Sequence, residues 1–204
     1  FPDAGIVRGS VVNCRGGAAL SVALATVSAA SAAGSWLACV GLASLGLRAA
    51  DEVGVALERL VMIADPAKPR EEPWATMLSA LIDGFDLIVL RNPPHLRAGT
   101  TRRLQARSQA RGAVLVVVGD PGHFACDLTI AGLSAEWEGL GDGSGRLVRR
   151  RLALSATGRR SPRARRVDVW LPGVDGGLEP VVTVIHAGLD IDGGEPVVSY
   201  RQTG

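Results

Sequence analysis

The chain has 204 residues, of which 47% are hydrophobic and only 4% aromatic, and its formal charge is +2. This length and composition suit one domain with a short appendage, in which aliphatic side chains pack between helices and a sheet. The apolar stretch 18–47 is broken at Gly34 and has no basic segment before it, so it fits neither a signal peptide nor a membrane span. These features favour a cytoplasmic protein.

The three cysteines, Cys14, Cys39 and Cys126, are far apart, with no CxxC pair and no histidine at the spacing of a metal site. We therefore expect buried thiols in a reducing compartment and no bound metal. The chain starts at Phe1 rather than at a methionine, close to its first predicted strand, which leaves room for a missing N-terminal part.

Short β-rich runs alternate with alanine-rich helical runs, which is typical of βαβ units. The pattern predicts an α/β fold with a mainly parallel central sheet flanked by helices. The predicted strands lie at 9–13, 36–40, 60–63, 85–90 and 113–118, and the predicted helices at 18–33, 49–58, 74–83 and 100–111. A glycine turn follows the first strand at 16–17, and a charged loop with prolines covers 67–73.

From residue 127 the pattern changes to alternation, at 127–130, 146–149 and 167–171, which predicts antiparallel strands toward the C-terminus. Residues 172–180 form a glycine-rich linker, and 181–185 and 196–200 resemble two further strands. We expect a core at 1–175 and a C-terminal tail at 176–204. The tail could add strands to the sheet or pair with a partner protein, and the sequence does not choose between these.

The strand, glycine turn and long helix at the start of the chain are the setting of a phosphate-binding loop. Such a loop needs a lysine that reaches the β- and γ-phosphates and a hydroxyl that binds Mg²⁺. No lysine is present there, because the only lysine of the chain is Lys68. We therefore predict a degenerate nucleotide site, formed by Asn13, Gly16, Gly17, Ala18, Ala19, Leu20 and Ser21 together with Arg91.

Arg91 belongs to this site because it ends the predicted strand 85–90, where an acidic residue would organise Mg²⁺. A guanidinium at that point repels a divalent cation and keeps its charge. Asp86 lies at the other end of the strand. We predict that the chain is not an enzyme and has no catalytic residue, metal or cofactor. The weakest alternative is an unconventional ATPase that uses Arg15.

These residues resemble the RecA ATPase core over about 5–170. The resemblance is carried by the strand-loop-helix start (GSVV at 9–12, VAL at 22–24), FDLIVL at 85–90, LQAR at 104–107 and the strand at 114–118. Within this group the chain is similar to the RecA-like accessory proteins of the actinobacterial mutasome, of the ImuA-prime type. The similar stretches are GIVRGSVV at 5–12, AGSW at 33–36 and SLGL at 44–47.

The resemblance implies a non-catalytic RecA-like adaptor in damage-induced mutagenesis and translesion DNA synthesis, a part of the SOS response. It implies three protein partners: an inactive Y-family polymerase homologue, an error-prone C-family polymerase and, as a further candidate, RecA. It also implies a place at the nucleoid after DNA damage. Two departures from active RecA proteins are that 41–44 (GLAS) lacks a carboxylate and that Gly119-Asp120 replaces an Asn-Gln pair. The segments 92–101 and 120–126 are short where RecA has DNA-binding loops, so RecA-like filaments and DNA binding are not expected.

Nine arginines between residues 146 and 166 are candidate contacts for DNA phosphates or for an acidic partner. They are Arg146, Arg149, Arg150, Arg151, Arg159, Arg160, Arg163, Arg165 and Arg166. The alternative function is therefore a DNA-binding module. Solvated strand faces in an arginine-biased chain explain the cluster equally well, and no aromatic residue interrupts it to form a stacking platform for single strands.

Other features favour packing or solvation over a binding role. The predicted helix 100–111 has a basic face, with Arg102, Arg103, Arg107 and Arg111, that is more typical of a solvated surface than of a docking surface. We expect Trp74, Trp137 and Trp170 to be buried or half-buried. The three histidines show no partner pattern, and no role is assigned to them.

Overall fold

The computed structural model describes residues 5–66, 70–140, 144–159 and 161–181. Its helices are α1 (Ala19–Ala32), α2 (Leu47–Glu52), α3 (Glu71–Gly84) and α4 (Ala98–Arg111), with a 3₁₀ turn at Leu57–Arg59. Its strands are β1 (Val11–Arg15), β2 (Leu37–Val40), β3 (Leu60–Ile63), β4 (Leu87–Arg91), β5 (Val114–Val118), β6 (Leu128–Leu140), β7 (Gly145–Gly158), β8 (Ser161–Trp170) and β9 (Glu179–Pro180). Within these residues the strands form a single sheet in the order β3-β2-β4-β5-β1-β6-β7-β8-β9.

The predicted fold class is confirmed. Strands β1 to β5 are parallel to their neighbours, and β6 to β9 continue the sheet with antiparallel pairs. One face packs against α1 and α2, around Val12, Val89 and Val116. The other face packs against α3 and α4, around Ile88 and Leu115. The central strands are continuous apolar runs because both of their faces are buried.

Two predicted boundaries among the helices are wrong. The predicted helix 49–58 is interrupted: α2 ends at Glu52, and Gly54 has a φ of +94°, which an α-helix does not accommodate. In the other direction, α3 starts at Glu71 inside the predicted loop 67–73. Pro73 does not prevent this, because N–H groups in the first turn of a helix have no partner within the helix.

The prediction of antiparallel strands from 127–130 onward is confirmed by the pairing of 128–130 with β7, but the same residues also pair in parallel with β1, which was not predicted. The start of β6 runs parallel to β1, with Leu128 opposite Val12, and only the pair of β6 with β7 is antiparallel. The segment after β5 brings the chain back to the end of the sheet at which β1 begins. There the carboxylate of Asp127 accepts a hydrogen bond from the Val11 amide at 3.0 Å. The new strand therefore enters in the direction of β1.

The predicted linker 172–180 is a turn followed by a strand. Its last residues, Glu179 and Pro180, pair with β8 as β9. Residues 182–204, and with them the predicted strands at 181–185 (apart from Val181) and 196–200, lie outside the described residues. The division into 1–175 and 176–204 stays a prediction. In the described part of the chain, none of the helices has the length and apolar character needed to cross a bilayer.

Candidate nucleotide site and arginine cluster

The predicted phosphate loop joins β1 to α1 as a tight turn. Gly16 has a φ of +93°, and the amide of Ala19 donates to the Gly16 carbonyl at 3.2 Å. A Cβ at Gly16 would overlap the carbonyl oxygen of Gly132 on β6, so the turn is pressed against that strand. By contrast, Gly17 has open space around it. One N–H at the helix start is thus already used, and the helix has no side-chain cap and no acidic residue in its first turn.

Asn13 ties this turn to the neighbouring strand. Its side chain is 3% exposed, and its amide nitrogen donates to the carbonyls of Val117 at 3.1 Å and Gly119 at 2.8 Å. The Gly119 amide in turn donates to the carbonyl of Cys14 at 2.9 Å. Through these bonds Asn13 joins the ends of β1 and β5.

Arg91 lies at the same edge of the sheet as the turn. It ends β4, which is separated from β1 by β5, about 10 Å across the sheet. Alternation along β4 places Arg91 on the face of Leu87 and Val89, which is also the face that α1 covers. An exposed cation therefore stands where Mg²⁺ would need a carboxylate.

Arg15 points the other way. Along β1, Val12 and Cys14 face α1, whereas Val11 packs on the opposite layer. Alternation places Arg15 on the side of Val11, away from the phosphate loop helix. This geometry does not favour an unconventional ATP site that uses Arg15.

One carboxylate that sequence reasoning overlooked reaches the end of β2. Asp65, which follows β3, lies against Gly41, where a Cβ would come within 2.6 Å of its Oδ1 atom. However, β3 is the edge strand, and β2, β4 and β5 separate it from β1. At about 4.8 Å per strand this distance is about 19 Å, so Asp65 does not reach the turn at Gly16.

The phosphate loop helix has an unexpected neighbour from the arginine cluster. Arg150, on β7, donates from Nη2 to the hydroxyl of Ser21 at 2.9 Å and from Nε to the carbonyl of Leu171 at 2.7 Å. Its guanidinium also lies over the ring of Trp137, 5.1 Å from the centroid. Burial lowers the pKa of Arg150 below its usual value. The hydroxyl that a magnesium site would use is therefore already bound to a cation.

The strand register separates the paired arginines of the cluster into two groups. Arg149, Arg150 and Arg151 lie opposite Glu138, Trp137 and Glu136 of β6, beyond the carboxyl end of β1. Arg165 and Arg166 lie opposite Ala156 and Ser155, toward the other end of the strands. Arg151 and Arg159 are separated by about 27 Å along the extended chain, at about 3.4 Å per residue. Residues that are close in sequence do not form one patch.

Most of the first group is paired within the chain. Arg149 donates to Glu138 at 2.7 Å and lies over the ring of Trp170, 3.8 Å from its centroid. Arg151 pairs with Asp168, which raises the pKa of Arg151. In the second group, Arg159 lies 3.6 Å from Asp127, and Arg163, Arg165 and Arg166 are exposed. Arg146 is exposed too, and Arg160 lies outside the described residues.

No aromatic residue lies within 146–166 in the sequence, but in the structure two tryptophans contact arginines of the cluster. Trp137 and Trp170 come from other strands and stack with Arg150 and Arg149. Trp137 was expected to be buried or half-buried, and it is 44% exposed. Antiparallel pairing brings these residues together, and no spacing within 146–166 could indicate it.

The other residues that the sequence analysis considered, a tryptophan, the basic face of α4 and a histidine, take part in packing or in ion pairs. Trp74 is buried as expected. On the basic face of α4, Arg107 and Arg111 both pair with Asp83 of α3, and the Arg107 hydrogen bond holds the pKa of Asp83 below its usual value. His95, which had no predicted partner, lies 3.5 Å from Asp120.

The thiols are shielded from water. Burial raises the pKa of Cys14 and of Cys39 to about 12, and that of Cys126 to about 11. Cys14 and Cys39 are fully buried, and Cys126 is half-buried. All three are free cysteines, and they act as small apolar side chains.

The side chains at the loop do not match the needs of a magnesium nucleotide. No ammonium group is present, Ser21 is bound to Arg150, and Arg91 supplies a positive charge in place of a metal ligand. Among the residues whose positions are described, no group of three His, Cys, Asp or Glu side chains could hold a metal ion.

Comparisons with known proteins agree with the architecture. The family model described as the MT3502 N-terminal domain matches residues 1–122, which include the phosphate loop and β1 to β5. The uncharacterized protein Rv3395c of Mycobacterium tuberculosis is 39% identical over 103 residues, or 48% of this chain and 47% of that protein. The match thus spans about half of the relative's length.

The crystal structure of the RadB recombinase superposes with a TM-score of 0.56 at 15% identity, over 87% of this chain and 93% of that chain. At this identity the likeness concerns the fold alone. It shows that the sheet and its helices are RecA-like.

Proposed function

The chain belongs to the MT3502 N-terminal domain family and has a RecA-like fold, and we propose that it is a non-catalytic adaptor in damage-induced mutagenesis. In this role it binds partner proteins and neither binds nor hydrolyses ATP. The partners proposed are those of the mutasome: an inactive Y-family polymerase homologue, an error-prone C-family polymerase and RecA. The protein would work in the cytoplasm and at the nucleoid after DNA damage.

The observation that carries the proposal is the bond between Arg150 and Ser21. A RecA-type ATPase keeps the start of its loop helix open for phosphate and metal. Here the hydroxyl is bound to a guanidinium, and the loop has no lysine. A second cation, Arg91, lies on the same face of the sheet. Three independent features thus oppose the binding of Mg²⁺-ATP, and this supports a role that depends on the surface of the fold.

Isothermal titration calorimetry with Mg²⁺-ATP tests the non-catalytic part of the proposal. We expect no binding heat up to millimolar nucleotide, and no phosphate release above the buffer rate. Arg15→Ala serves as the matched variant, because Arg15 would carry an unconventional site. Mg²⁺-dependent binding that Arg15→Ala abolishes would contradict the proposal.

The adaptor role is tested by affinity purification of the 204-residue chain from DNA-damaged cells, followed by mass spectrometry. We expect the polymerase homologue and the C-family polymerase among the specifically retained proteins. Reconstitution from purified components then separates direct binding from co-purification through DNA, when nuclease is present throughout. Recovery of neither polymerase, from cells that express both, would contradict the role in mutagenesis.

A further inference from the structure

A groove runs between α3 and α4 on the solvent side of these helices. Small side chains of α3 form its floor, and arginines of α4 form one of its walls. It consists of two adjoining depressions that are continuous because both are lined by Ala75, Thr76, Thr100 and Arg103. Thr76 and Arg103 are exposed, and every residue that lines the groove lies within the described ranges.

The two ends of the groove carry paired charges. At one end, a carboxylate oxygen of Glu71 lies 3.2 Å from Nε of Arg97. At the other end, the carboxylate of Asp83 pairs with both Arg107 and Arg111. The carboxylates at the ends are therefore already engaged by arginines of the same chain.

Arg103 lies between these ends without an acidic partner. Its Nη2 donates to the Thr100 hydroxyl at 3.4 Å, and in the described part of the chain no carboxylate lies within ion-pair distance of its guanidinium. Arg103 and Arg107 are one turn apart, so they lie on the same side of α4. The middle of the groove thus has an excess of positive charge, which favours a ligand that carries a carboxylate.

The carboxylates at the ends limit which anions fit. Glu72 and Asp83 are about 16 Å apart along α3. A nucleic-acid strand carries a charge about every 3.4 Å, so its phosphates would meet these carboxylates as well as Arg103. A protein segment can place one or two acids opposite Arg103 and neutral residues at the ends. The charge pattern therefore favours a protein partner.

The surroundings of the groove favour a helical partner segment. Helices form both of its sides, so an extended segment would find no strand edge with which to pair its backbone groups. A helix satisfies these groups internally. The small side chains of Ala75, Thr76 and Ser79 allow a helix to approach closely, and a length of about 16 Å corresponds to three helical turns.

Two occupants from the chain itself fit less well. A second copy of the groove would bring Arg103 against Arg103. The chain's own residues 182–204 have their acidic side chains within 190–195, between Gly188 and Pro196. Glycine and proline disfavour a helix, so the sequence of this stretch does not suit three helical turns.

We propose that the groove between α3 and α4 binds an acidic helical segment of a partner protein, with one of its carboxylates on Arg103. This inference rests on the proposed adaptor function and names the chemistry of its partner. The calorimetry with Mg²⁺-ATP and the recovery of the polymerases do not depend on the groove. A failed peptide experiment therefore leaves the proposed function standing.

The probe is a fluorescently labelled peptide of about eleven alanines and glutamates, with glutamates one turn apart and a hydrocarbon staple that keeps it helical. Fluorescence anisotropy with the full chain at about 0.15 M salt should show saturable binding. Arg103→Glu should weaken this binding at least about tenfold, because it places a carboxylate in the middle of the groove. Absence of saturable binding up to millimolar peptide would overturn the proposal.

Arg102→Glu is the matched control. Arg102 is exposed on the same helix and does not line the groove, and its substitution changes the net charge equally. This variant should keep the wild-type affinity within about twofold. Equal losses in both variants would mean that general charge attraction binds the probe, and would overturn the proposal. Arg103→Glu should instead bind a lysine–alanine peptide that the wild type does not bind, which also shows that the variant is folded.

Two changes in the probe test its chemistry and conformation. A peptide with glutamine in place of glutamate should not bind, and equal binding of both peptides would contradict the role of charge. An unstapled peptide with a central proline should lose about tenfold in affinity, because proline breaks the helix. Undiminished binding of this peptide would contradict a helical ligand.

Two competitors test the other occupants. Tighter binding of an oligothymidine of equal charge, lost in Arg103→Glu, would assign the groove to nucleic acid and overturn the proposal. Displacement of the probe by an equal concentration of a synthetic peptide of residues 182–204 would assign the groove to the chain's own tail, and would overturn it as well. We expect neither competitor to displace the probe.

Discussion

Arg150 and Ser21 are 129 positions apart in the chain, and the guanidinium of the first donates to the hydroxyl of the second at 2.9 Å. This bond links the antiparallel end of the sheet to the helix that follows the phosphate loop. Arg150 also holds the Leu171 carbonyl and lies over Trp137. Arg150 therefore attaches the strands β6, β7 and β8 to the RecA-like core.

Replacing Arg150 should destabilise the fold. Arg150→Ala removes two hydrogen bonds from a charged donor and is expected to lower the free energy of unfolding by about 2–3 kcal/mol. Ser21→Ala removes one of these bonds and should lower it by about 1 kcal/mol. Urea unfolding followed by circular dichroism measures both, with the exposed Arg146→Ala as a control that stays near wild type. If the double variant lost the full sum of the single losses, the two side chains would not be coupled.

The two loop glycines should respond differently to the same substitution. Gly16→Ala places a Cβ at a positive φ and against the Gly132 carbonyl, and is expected to lower the free energy of unfolding by about 2–4 kcal/mol. Gly17→Ala meets open space and should change it by less than about 0.5 kcal/mol. Thermal unfolding compares the pair. Equal losses would mean that the turn does not press against β6.

Replacing Asn13 by an apolar or by an acidic side chain should lower the free energy of unfolding. Asn13→Ala removes the side-chain hydrogen bonds to the carbonyls of Val117 and Gly119 and should lower the free energy of unfolding by about 2 kcal/mol. Asn13→Asp faces the same carbonyls with a carboxylate, so burial raises its folded pKa above about 3.9, the unfolded value.

The sign of the pH dependence follows from that shift. The unfolded state loses its proton first, so the penalty of Asn13→Asp grows as the pH rises above about 4 and levels off above the folded pKa. Urea midpoints at acidic and neutral pH measure it, with Asn13→Ala as the reference that shows no such change. A penalty independent of pH would contradict the buried position.

The arginines of 149–151 should affect stability rather than DNA binding. Arg149→Ala and Arg151→Ala each remove an exposed ion pair, and we expect losses in the free energy of unfolding of about 0.5–1 kcal/mol. Affinity for a single-stranded oligonucleotide should change by less than about twofold, because these charges are already paired. Anisotropy over a salt series checks this. A steep salt dependence that both variants abolish would favour the DNA-binding alternative.

The thiols should be unreactive in the folded protein. With their pKa values raised to about 12, Cys14 and Cys39 carry almost no thiolate at pH 8, and both are fully buried. Cys126, at about 11 and half-buried, should react slowly. Titration with a thiol reagent is expected to detect three thiols in denaturant and at most one, slowly, without it. Rapid reaction of Cys14 would show that the core around β1 opens.

Local sequence was sufficient for the elements of the core. Within the predicted strands 85–90 and 113–118, the runs 87–90 and 113–118 are apolar on both faces, which is typical of buried strands, and the structure has β4 and β5 there. The helix predicted at 49–58 failed because Gly54 interrupts a pattern that otherwise continues as a helix. The positive φ of Gly54 is a property of the folded turn.

The sequence by itself determined which chemical groups exist: a loop without lysine, a cation at Arg91 and a high arginine content. Only the tertiary structure decided what those groups contact. Alternation turned Arg15 away from the loop, and pairing with β6 and β8 neutralised Arg149 and Arg151. The physical reason is that strand register joins residues far apart in sequence, and a pattern within one strand does not specify its neighbour.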